Sequence, residues 1–327
     1  MEKKERFLGC MYGLALGDAL GYPVEFMTRD EILRGVGPKG VTGFDSLEKA
    51  RLDHAHPIGF YSDDTQMTLA TANGLLSSNT TSRKEIMDNI AREYTLWANS
   101  PDNNRAPGTT CMQGIRNMIA NGGNWEKSGV PTGDGCGAAM RTAPIGLRFY
   151  RDFDKLNEIA HSASKCTHGE NSAIISGMNV ARVVGRILKY SRPDPMDIYQ
   201  ETLLSTKVGP PADVSFAEKL ERVKKVLRYT DEAKALNELG EGWRGDEAFT
   251  MAMYCFLKSP EDFRRTVLRA ANITGDSDSV ASIAGAFSGA YNGIRAIPQE
   301  WISKLERTEL IRETAERLFR KTEEAKD

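Results

Sequence analysis

Several residue patterns that would identify a class of protein are missing from this chain. Its five cysteines are scattered and form no C-x-x-C pair, which argues against a disulfide framework and against a zinc knuckle. The four histidines include no H-E-x-x-H pattern, so a zinc hydrolase is poorly supported. The formal net charge of −2 leaves no basic excess for nucleic acid or a membrane surface. We therefore expect a cytoplasmic protein with neither of these partners.

Long apolar runs and alternating β-type runs are also absent. The apolar stretch from Phe7 to Leu20 carries Asp18 and is too short to cross a bilayer, so it is neither an anchor nor an obvious signal peptide. Helical periodicity dominates instead. It predicts helices at about 65–78, 82–98, 153–165, 170–190, 195–205, 214–228, 231–239, 246–257, 261–272 and 308–324. We predict an all-α, compact single domain over residues 1–327, and a monomer.

Local signals refine this prediction. The Gly- and Pro-rich stretch from Gly21 to Phe60 has little helical period and is predicted to be a long ordered loop. Ser82 and Glu85 form a capping-box signature. Pro144 is expected to interrupt or kink the helix that starts within residues 133–141. The closing helix is expected to bury Leu310, Ile311, Ala315, Leu318 and Phe319.

Two stretches place a small residue at every fourth position. They are Gly9, Gly13, Gly17 and Gly21 near the start, and Ala281, Gly285, Gly289 and Gly293 near the end. On a helix, such spacing makes a flat stripe that lets another backbone approach closely. We expect the two striped helices to bring distant parts of the chain together.

Two acidic motifs stand at predicted helix starts. Ser62-Asp63-Asp64 and Asp276-x-Asp278-Ser279 each combine two carboxylates with a hydroxyl. Either motif alone is explained by helix capping, whereas together they supply the hard oxygen ligands of Mg²⁺, Mn²⁺ or Ca²⁺. An EF-hand loop is excluded because Ala281 and Phe287 occupy its glycine and glutamate positions. Met67 likewise excludes a D-D-x-x-D motif.

Five motifs in this order resemble the ADP-ribosylglycohydrolase family, typified by dinitrogenase-reductase-activating glycohydrolase and ADP-ribosylarginine hydrolases. The resemblance extends from about Gly9 to Trp301. The motifs are Gly13-Leu14-Ala15-Leu16-Gly17-Asp18-Ala19-Leu20-Gly21-Tyr22-Pro23-Val24-Glu25-Phe26, Ser62-Asp63-Asp64-Thr65-Gln66-Met67, Gly135-Cys136-Gly137-Ala138-Ala139-Met140-Arg141, Thr167-His168-Gly169 and Gly275-Asp276-Ser277-Asp278-Ser279.

This resemblance implies a compact helical fold with a binuclear Mg²⁺ centre, or Mn²⁺ in its place, that removes ADP-ribose from a modified side chain. The implied metal ligands are Ser62, Asp63, Asp64, Asp276, Asp278 and Ser279. Serine stands at both positions where many members have threonine, and it keeps the coordinating hydroxyl. Glu25 matches a loop glutamate of the family's active site and is the candidate catalytic residue, although a solvated loop acid is the alternative. Asp18 is assigned only a supporting role.

The resemblance also implies substrate-binding residues. Gly108 and Thr109 match a loop that contacts ribose and phosphate, but Arg105 and Ala106 stand where some members carry a carboxylate before the glycine. Gly135, Cys136 and Gly137 offer backbone N–H groups suited to pyrophosphate, unless they form only a tight turn. Cys136 itself is interpreted as a small packing residue and not a nucleophile, because no base is adjacent.

His168 is the remaining candidate for substrate binding, with a satisfied core histidine as the alternative. The family motif often continues His-Pro, whereas here Glu170 and Asn171 follow Gly169. The specificity for the leaving group is therefore not predicted from this motif.

The implied activity is metal-dependent hydrolysis of the bond between ADP-ribose and a protein side chain, with arginine favoured. Other ADP-ribose conjugates stay open, namely serine-linked, O-acetyl and nucleic-acid-linked forms. A phosphoester hydrolase and a non-catalytic ADP-ribose-binding or structural protein of the same fold are the competing classes.

Overall fold

In the computed structural model, which describes residues 1–52 and 54–325, the regular elements are helices. Within that part of the chain, strand-like pairing is limited to two isolated bridges, Val130 with His168 and Gly135 with Arg244. The prediction of an all-α fold is confirmed. The α-helices are α1 (Lys3–Gly21), α2 (Arg29–Gly35), α3 (Phe44–Ala50), α4 (Asp63–Ser77), α5 (Arg83–Ala98), α6 (Thr109–Ala120), α7 (Ala143–Phe149), α8 (Phe153–Lys165), α9 (Asn171–Lys189), α10 (Pro195–Val208), α11 (Val214–Val226), α12 (Glu232–Leu239), α13 (Gly245–Lys258), α14 (Phe263–Ala270), α15 (Ser277–Asn292), α16 (Gln299–Lys304) and α17 (Thr308–Glu324).

The two glycine-striped helices, α1 and α15, pack directly against each other in antiparallel orientation. A Cβ atom placed on Gly13 would lie 2.2 Å from the carbonyl oxygen of Gly285, and one on Gly17 would lie 2.0 Å from that of Ala281. Only residues without a larger side chain at these points allow backbones to approach so closely. The pairing places the C-terminal end of α1 beside the N-terminal end of α15, as the stripes predicted.

The remaining helices surround this pair and share one continuous core of buried apolar side chains. Helix α9 is buried along most of its length, from Ser172 to Leu188. Helix α17 packs against α1 and α4 through Ile311, Ala315 and Leu318, each fully buried. Among the described residues, none of the helices combines the length and the apolar character that a bilayer span requires.

The predicted loop between Gly21 and Phe60 is wrong in part, because it contains α2 and α3. Helix α2 begins with a complete capping box, in which Thr28 accepts a hydrogen bond from the Glu31 amide and Glu31 accepts one from the Thr28 amide. That Thr-x-x-Glu pattern is visible in the sequence. The turn residues that flank both helices concealed them, since each helix has only seven residues.

Three other local predictions are also wrong. Ser82 precedes α5 without a capping hydrogen bond from its side chain, and Glu85 instead accepts hydrogen bonds from the amide of Asn79 and the hydroxyl of Thr80. Pro144 lies in the first turn of α7, where a missing N–H costs nothing, so it begins α7 and does not kink it. The helix predicted to start within residues 133–141 is a separate 3₁₀ helix, Cys136–Arg141, which ends before α7. Leu310 on α17 is 38% exposed, whereas Ile311 beside it is buried.

Replacement of Gly13 by alanine tests the close contact between α1 and α15. Alanine stabilises a helix by about 1 kcal/mol relative to glycine, but its Cβ would overlap the Gly285 carbonyl. Overpacking of this kind costs about 3 kcal/mol, so we expect a net loss of about 2 kcal/mol in the free energy of unfolding. Urea denaturation measures the loss.

The matched control is Gly35→Ala in α2, where the added Cβ would meet side-chain atoms no closer than 3.4 Å. This variant should equal or exceed the wild type in stability. Equal stabilities for the two variants would show that the stripe does not require glycine at position 13.

Candidate active site

A cavity of about 280 Å³ lies beyond the C-terminal end of α1. Both acidic motifs reach it, and the Ser279 hydroxyl donates a hydrogen bond of 3.3 Å to Asp64 Oδ1. The two helix starts therefore meet, as predicted. The lining residues are Glu25, Phe26, Asp63, Asp64, Ala106, Pro107, Gly108, Thr109, Thr110, Cys111, Gly135, Cys136, Gly137, Met140, His168, Trp243, Asp276, Asp278 and Ser279.

Asp18 of α1 holds the start of α4 in place. Its carboxylate accepts hydrogen bonds from the amides of Ser62 and Thr65, at 2.8 and 2.9 Å, and from the Thr65 hydroxyl at 2.5 Å. These donors belong to the end of a helix, where backbone N–H groups have no partner within the helix. The Ser62 hydroxyl oxygen accepts from the Asp64 amide, so Ser62 caps α4 while its role as a metal ligand stays a prediction. Asp18 acts behind the cavity, in the supporting role assigned to it.

The start of α15 is ordered by its own acidic residues and by α1. Asp276 is the N-cap and accepts a hydrogen bond from the Ser279 amide, and Ser277 donates from its hydroxyl to the Gly21 carbonyl at 2.9 Å. As a result, Asp276 and Asp278 face Glu25, which follows α1. One carboxylate oxygen from each of these three residues lies within 4.8 Å of the others.

The segment around Glu25 has a strained backbone. Phe26 has a φ of 67°, in the left-handed region that bulky residues rarely adopt. Two hydrogen bonds hold it there, from the Phe26 amide to the Gly275 carbonyl and from the Gly275 amide to the Met27 carbonyl, both 3.1 Å long. Such strain persists only where the surroundings enforce it. Here it ties Glu25 to the residue before Asp276.

The carboxylates of the site strongly disfavour ionisation when no cation is near. Burial, followed by repulsion from Asp276 and Asp63, raises the pKa of Glu25 to about 9. Burial is also the largest cause of the raised pKa of Asp63, which is about 8. The pKa values of Asp64 and Asp278 are raised well above their ordinary range by burial and by the neighbouring carboxylates.

The residues present fit divalent cations. Asp64 Oδ2 and Glu25 Oε2 are buried without a hydrogen-bond partner, although buried carboxylate oxygens normally have one. Among the described residues that line the cavity, none is lysine or arginine. A cation would satisfy these oxygens and cancel the mutual repulsion, and oxygen-only donor sets are those preferred by Mg²⁺ and Mn²⁺.

Two backbone amides at the cavity are already engaged within the protein. The Cys136 amide donates to the Trp243 carbonyl at 3.0 Å, and the Gly108 amide donates to Asp63 Oδ2 at 3.0 Å. The prediction of an unhindered N–H at Cys136 is therefore wrong. Its thiol does more than pack, since Sγ donates to Asp276 Oδ2 at 2.8 Å, while burial and then Asp276 raise the pKa of the thiol. Cys136 is a poor nucleophile, as expected.

The other predicted substrate-binding residues all line the cavity. Gly108 and Thr109 lie at the start of α6, and Gly135 and Gly137 flank Cys136. His168 also faces the cavity, although its side chain is 99% buried. His168 is therefore a buried histidine that also borders the site, so features of both predicted alternatives, a core histidine and a substrate-binding residue, are present.

Two aromatic residues at the cavity were missed from the sequence. The rings of Phe26 and Trp243 stack with centroids 5.1 Å apart and planes inclined by 21°. Phe26 is 69% exposed, which is unusual for a phenylalanine and marks a surface available for contact. Its position directly after Glu25 was the available signal. Trp243 lies between α12 and α13, and no local pattern connects it to the site.

The family comparison agrees with this geometry. A model of the family described as ADP-ribosylglycohydrolase matches residues 1–327. The chain belongs to the ADP-ribosylglycohydrolase family. A solved structure titled ADP-ribosylglycohydrolase-related protein complex superposes with a TM-score of 0.76 at 27% sequence identity, and the match covers 98% of this chain and 99% of that one.

Relatives within the family carry several names. ADP-ribosyl-[dinitrogen reductase] glycohydrolase of Rhodospirillum rubrum is 29% identical, with 92% of this chain and 90% of the relative covered. ADP-ribosylarginine hydrolase Tri1 of Serratia proteamaculans is 27% identical, with 97% and 80% covered. ADP-ribosylhydrolase ARH3 of Mus musculus is 25% identical, with 97% and 92% covered.

The raised carboxylate pKa values predict how stability depends on pH in chelator. The folded state binds protons that the unfolded state releases above about pH 4, so the free energy of unfolding should fall as the pH rises. The fall should continue to about pH 9, where Glu25 loses its proton. With Mg²⁺ the carboxylates are charged and paired, and we expect a flatter profile. Thermal unfolding midpoints from pH 5 to 9, in chelator and in Mg²⁺, test this.

Paired variants isolate the contribution of the site. Asp64→Asn should flatten the chelator profile, whereas Asp154→Asn, at an exposed position in the first turn of α8, should retain the wild-type slope. Superimposable wild-type profiles in chelator and in Mg²⁺ would contradict the assignment of a cation site.

Proposed function

We propose that the protein is a metal-dependent hydrolase that cleaves the glycosidic bond between ADP-ribose and a protein side chain, with ADP-ribosylarginine as the favoured substrate. One observation carries this proposal: the starts of α4 and α15 meet at Glu25, and they leave buried carboxylate oxygens unpartnered in an open cavity. An arrangement with only a structural role would satisfy those oxygens within the fold. Membership of the ADP-ribosylglycohydrolase family supports an ADP-ribose conjugate as the substrate.

The proposed cofactor is a pair of Mg²⁺ ions, with Mn²⁺ as the alternative. Asp63, Asp64, Asp276 and Asp278 would hold them, aided by the hydroxyls of Ser62 and Ser279. When bound, the ions supply positive charge that polarises a water molecule and the sugar oxygens. The carboxylate and hydroxyl donors match this chemistry, because Mg²⁺ takes oxygen ligands.

Charge supports a guanidinium leaving group. Glu25 and the four aspartates carry five negative charges when ionised, one more than the four positive charges of two divalent cations. No lysine or arginine lies among the described lining residues. A modified arginine carries positive charge at the scissile nitrogen, so the cavity attracts it. Neutral leaving groups, such as a serine hydroxyl, interact less favourably with this negative potential. The names of the relatives include ADP-ribosylarginine hydrolase, alongside ADP-ribosylhydrolases of the ARH3 type.

Glu25 is the residue proposed to handle the proton. In the reaction, the oxygen of water bonds to C1″ of the ribose, the bond from C1″ to the side-chain nitrogen breaks, and the proton of water ends on the departing guanidine. Glu25 Oε2 has no protein partner and therefore is free to receive and pass on that proton. The hydrogen bonds that join Gly275 to Phe26 and Met27 hold Glu25 against the acidic residues of α15.

Cellular location and assembly form part of the same proposal. All five cysteines are free, and four of them are buried, which suits a reducing cytoplasm. A monomer acting on ADP-ribosylated proteins is proposed.

Hydrolysis of an arginine-ADP-ribosylated protein tests the proposal. We expect free ADP-ribose to be released in Mg²⁺ and not in chelator. Asp63→Asn removes a charge from the metal site and should lower the rate by at least about a hundredfold. Glu25→Gln removes the proton acceptor and should lower it by about a hundredfold to ten-thousandfold. Release is measured by chromatography of the nucleotide products.

Matched controls are the exposed acids Asp154→Asn and Glu313→Gln, which should leave the rate unchanged. The same assay separates the alternatives. AMP or phosphate as the product would indicate a phosphoester hydrolase, and tight binding without turnover would indicate a binding protein. Faster release from serine-linked, O-acetyl or nucleic-acid-linked ADP-ribose would refute the preference for arginine.

A further inference from the structure

His168 borders the cavity on a segment whose backbone is fixed. The Val130 amide donates to the Thr167 carbonyl at 2.9 Å, and the Gly169 amide donates to the Val130 carbonyl at 2.8 Å. The His168 amide donates to Ser164 at the end of α8. His168 is 99% buried, so its Nδ1 meets a protein partner and not bulk water.

A directed chain of hydrogen bonds reaches the ring from behind. Arg141 Nη2 lies 2.5 Å from Thr167 Oγ1, and that oxygen lies 2.8 Å from His168 Nδ1. A guanidinium can only donate, so the Thr167 oxygen accepts from Arg141. The single hydroxyl hydrogen of Thr167 must then go elsewhere. Its possible acceptors are His168 Nδ1 and the Ser164 carbonyl, and the latter is distant at 3.5 Å.

The direction of this chain decides the tautomer of His168. Since Nδ1 accepts the Thr167 hydrogen, the hydrogen of the neutral ring resides on Nε2. The ring is neutral at physiological pH because burial, reinforced by the charge of Arg141, lowers the pKa of His168 to about 3. Nε2 lies beside the glycines of the cavity, where a Cβ on Gly137 would come within 3.3 Å of it. The N–H donor therefore faces the cavity.

Arg141 is suited to this role by its surroundings. It is fully buried and has no carboxylate partner among its hydrogen bonds, which go to Ala163, Thr167 and the sulfur atoms of Met67 and Cys111. Its guanidinium lies 4.8 Å from the centre of the Tyr94 ring, where the aromatic face stabilises the charge. Because arginine stays protonated, its donor to Thr167 is permanent.

We propose that Arg141 and Thr167 are positioning residues that hold His168 as the Nε2–H tautomer, so that the ring is a neutral hydrogen-bond donor to an oxygen of ADP-ribose. The choice of ligand rests on the proposed function. The donor is neutral because the ring is buried and a second cation next to Arg141 would be repelled. It also distinguishes His168 from a histidine that only fills the core, whose tautomer would have no effect on ligand binding.

Nitrogen NMR of the full-length protein tests the proposal directly. Long-range proton–nitrogen spectra of ¹⁵N-labelled protein report which nitrogen of each imidazole carries hydrogen, and the chain has only four histidines. His168→Gln assigns the signal. We expect His168 to be protonated on Nε2 alone from pH 6 to 8. The Nδ1–H tautomer or an imidazolium in the wild type would overturn the proposal.

Two substitutions at position 167 separate positioning from packing. Thr167→Val keeps the shape but removes the hydroxyl donor, so it should populate the Nδ1–H tautomer and weaken ADP-ribose binding by about tenfold, as expected for one hydrogen bond. Thr167→Ser retains the hydroxyl and should restore both properties. A native tautomer and native affinity in Thr167→Val would refute the role of Thr167. If Thr167→Val fails to fold, the wild-type and Thr167→Ser spectra still decide the tautomer.

Failure of the proposed function is distinguishable from failure of this inference. The tautomer is read without substrate, whereas ADP-ribose affinity is measured by calorimetry. A wild type with Nε2–H but no affinity for ADP-ribose would refute the ligand and the proposed function together. A wild type that binds ADP-ribose with His168 in the other tautomer would refute only the inference.

Discussion

The close contact between the backbones of α1 and α15 is the constraint on which the site depends. Residues at every fourth position are small on both helices, so the axes approach until carbonyl oxygens lie where side chains would stand. This contact fixes where α1 ends relative to where α15 begins. Asp18, Gly21 and Glu25 belong to the first end, and Asp276 and Asp278 belong to the second. The carboxylates therefore converge at two helix ends and at Glu25, which follows the first of them.

Convergence of this kind carries an electrostatic cost. Five buried carboxylates, those of Asp18, Asp63, Asp64, Asp276 and Asp278, and the partly buried carboxylate of Glu25 repel one another, and burial alone already disfavours their charge. Asp18 is compensated by donors from α4, whereas Asp64 and Glu25 keep unpartnered oxygens. The packed apolar core lies behind the cluster, and its stabilisation of the fold offsets this electrostatic cost in the absence of ions. Binding of the proposed cations would offset this cost, which would couple metal affinity to stability.

Much of this arrangement was predictable because its determinants are periodic and local. The glycine spacing identified α1 and α15, and the paired acids marked the starts of α4 and α15. The sequence-based predictions that were wrong or incomplete concern short elements or long-range contacts. Helices α2 and α3 are too short to show a period, and Trp243 reaches the cavity only through tertiary packing. The engaged amide of Cys136 depends on a carbonyl more than a hundred residues away in sequence, which no local pattern reveals.

The site thus divides into two parts with different physical origins. The acidic part rests on helix ends that the α1–α15 contact holds, so we expect a substitution there to alter folding and the binding of the proposed cations together. The outer part consists of Phe26, Ala106, Thr109 and Trp243, which are exposed or lie at the edge of loops. These residues contribute little to the core and are free to vary without loss of the fold. On the proposed function, selection among ADP-ribose conjugates is assigned to the outer part, and the bond-breaking chemistry is assigned to the helix ends.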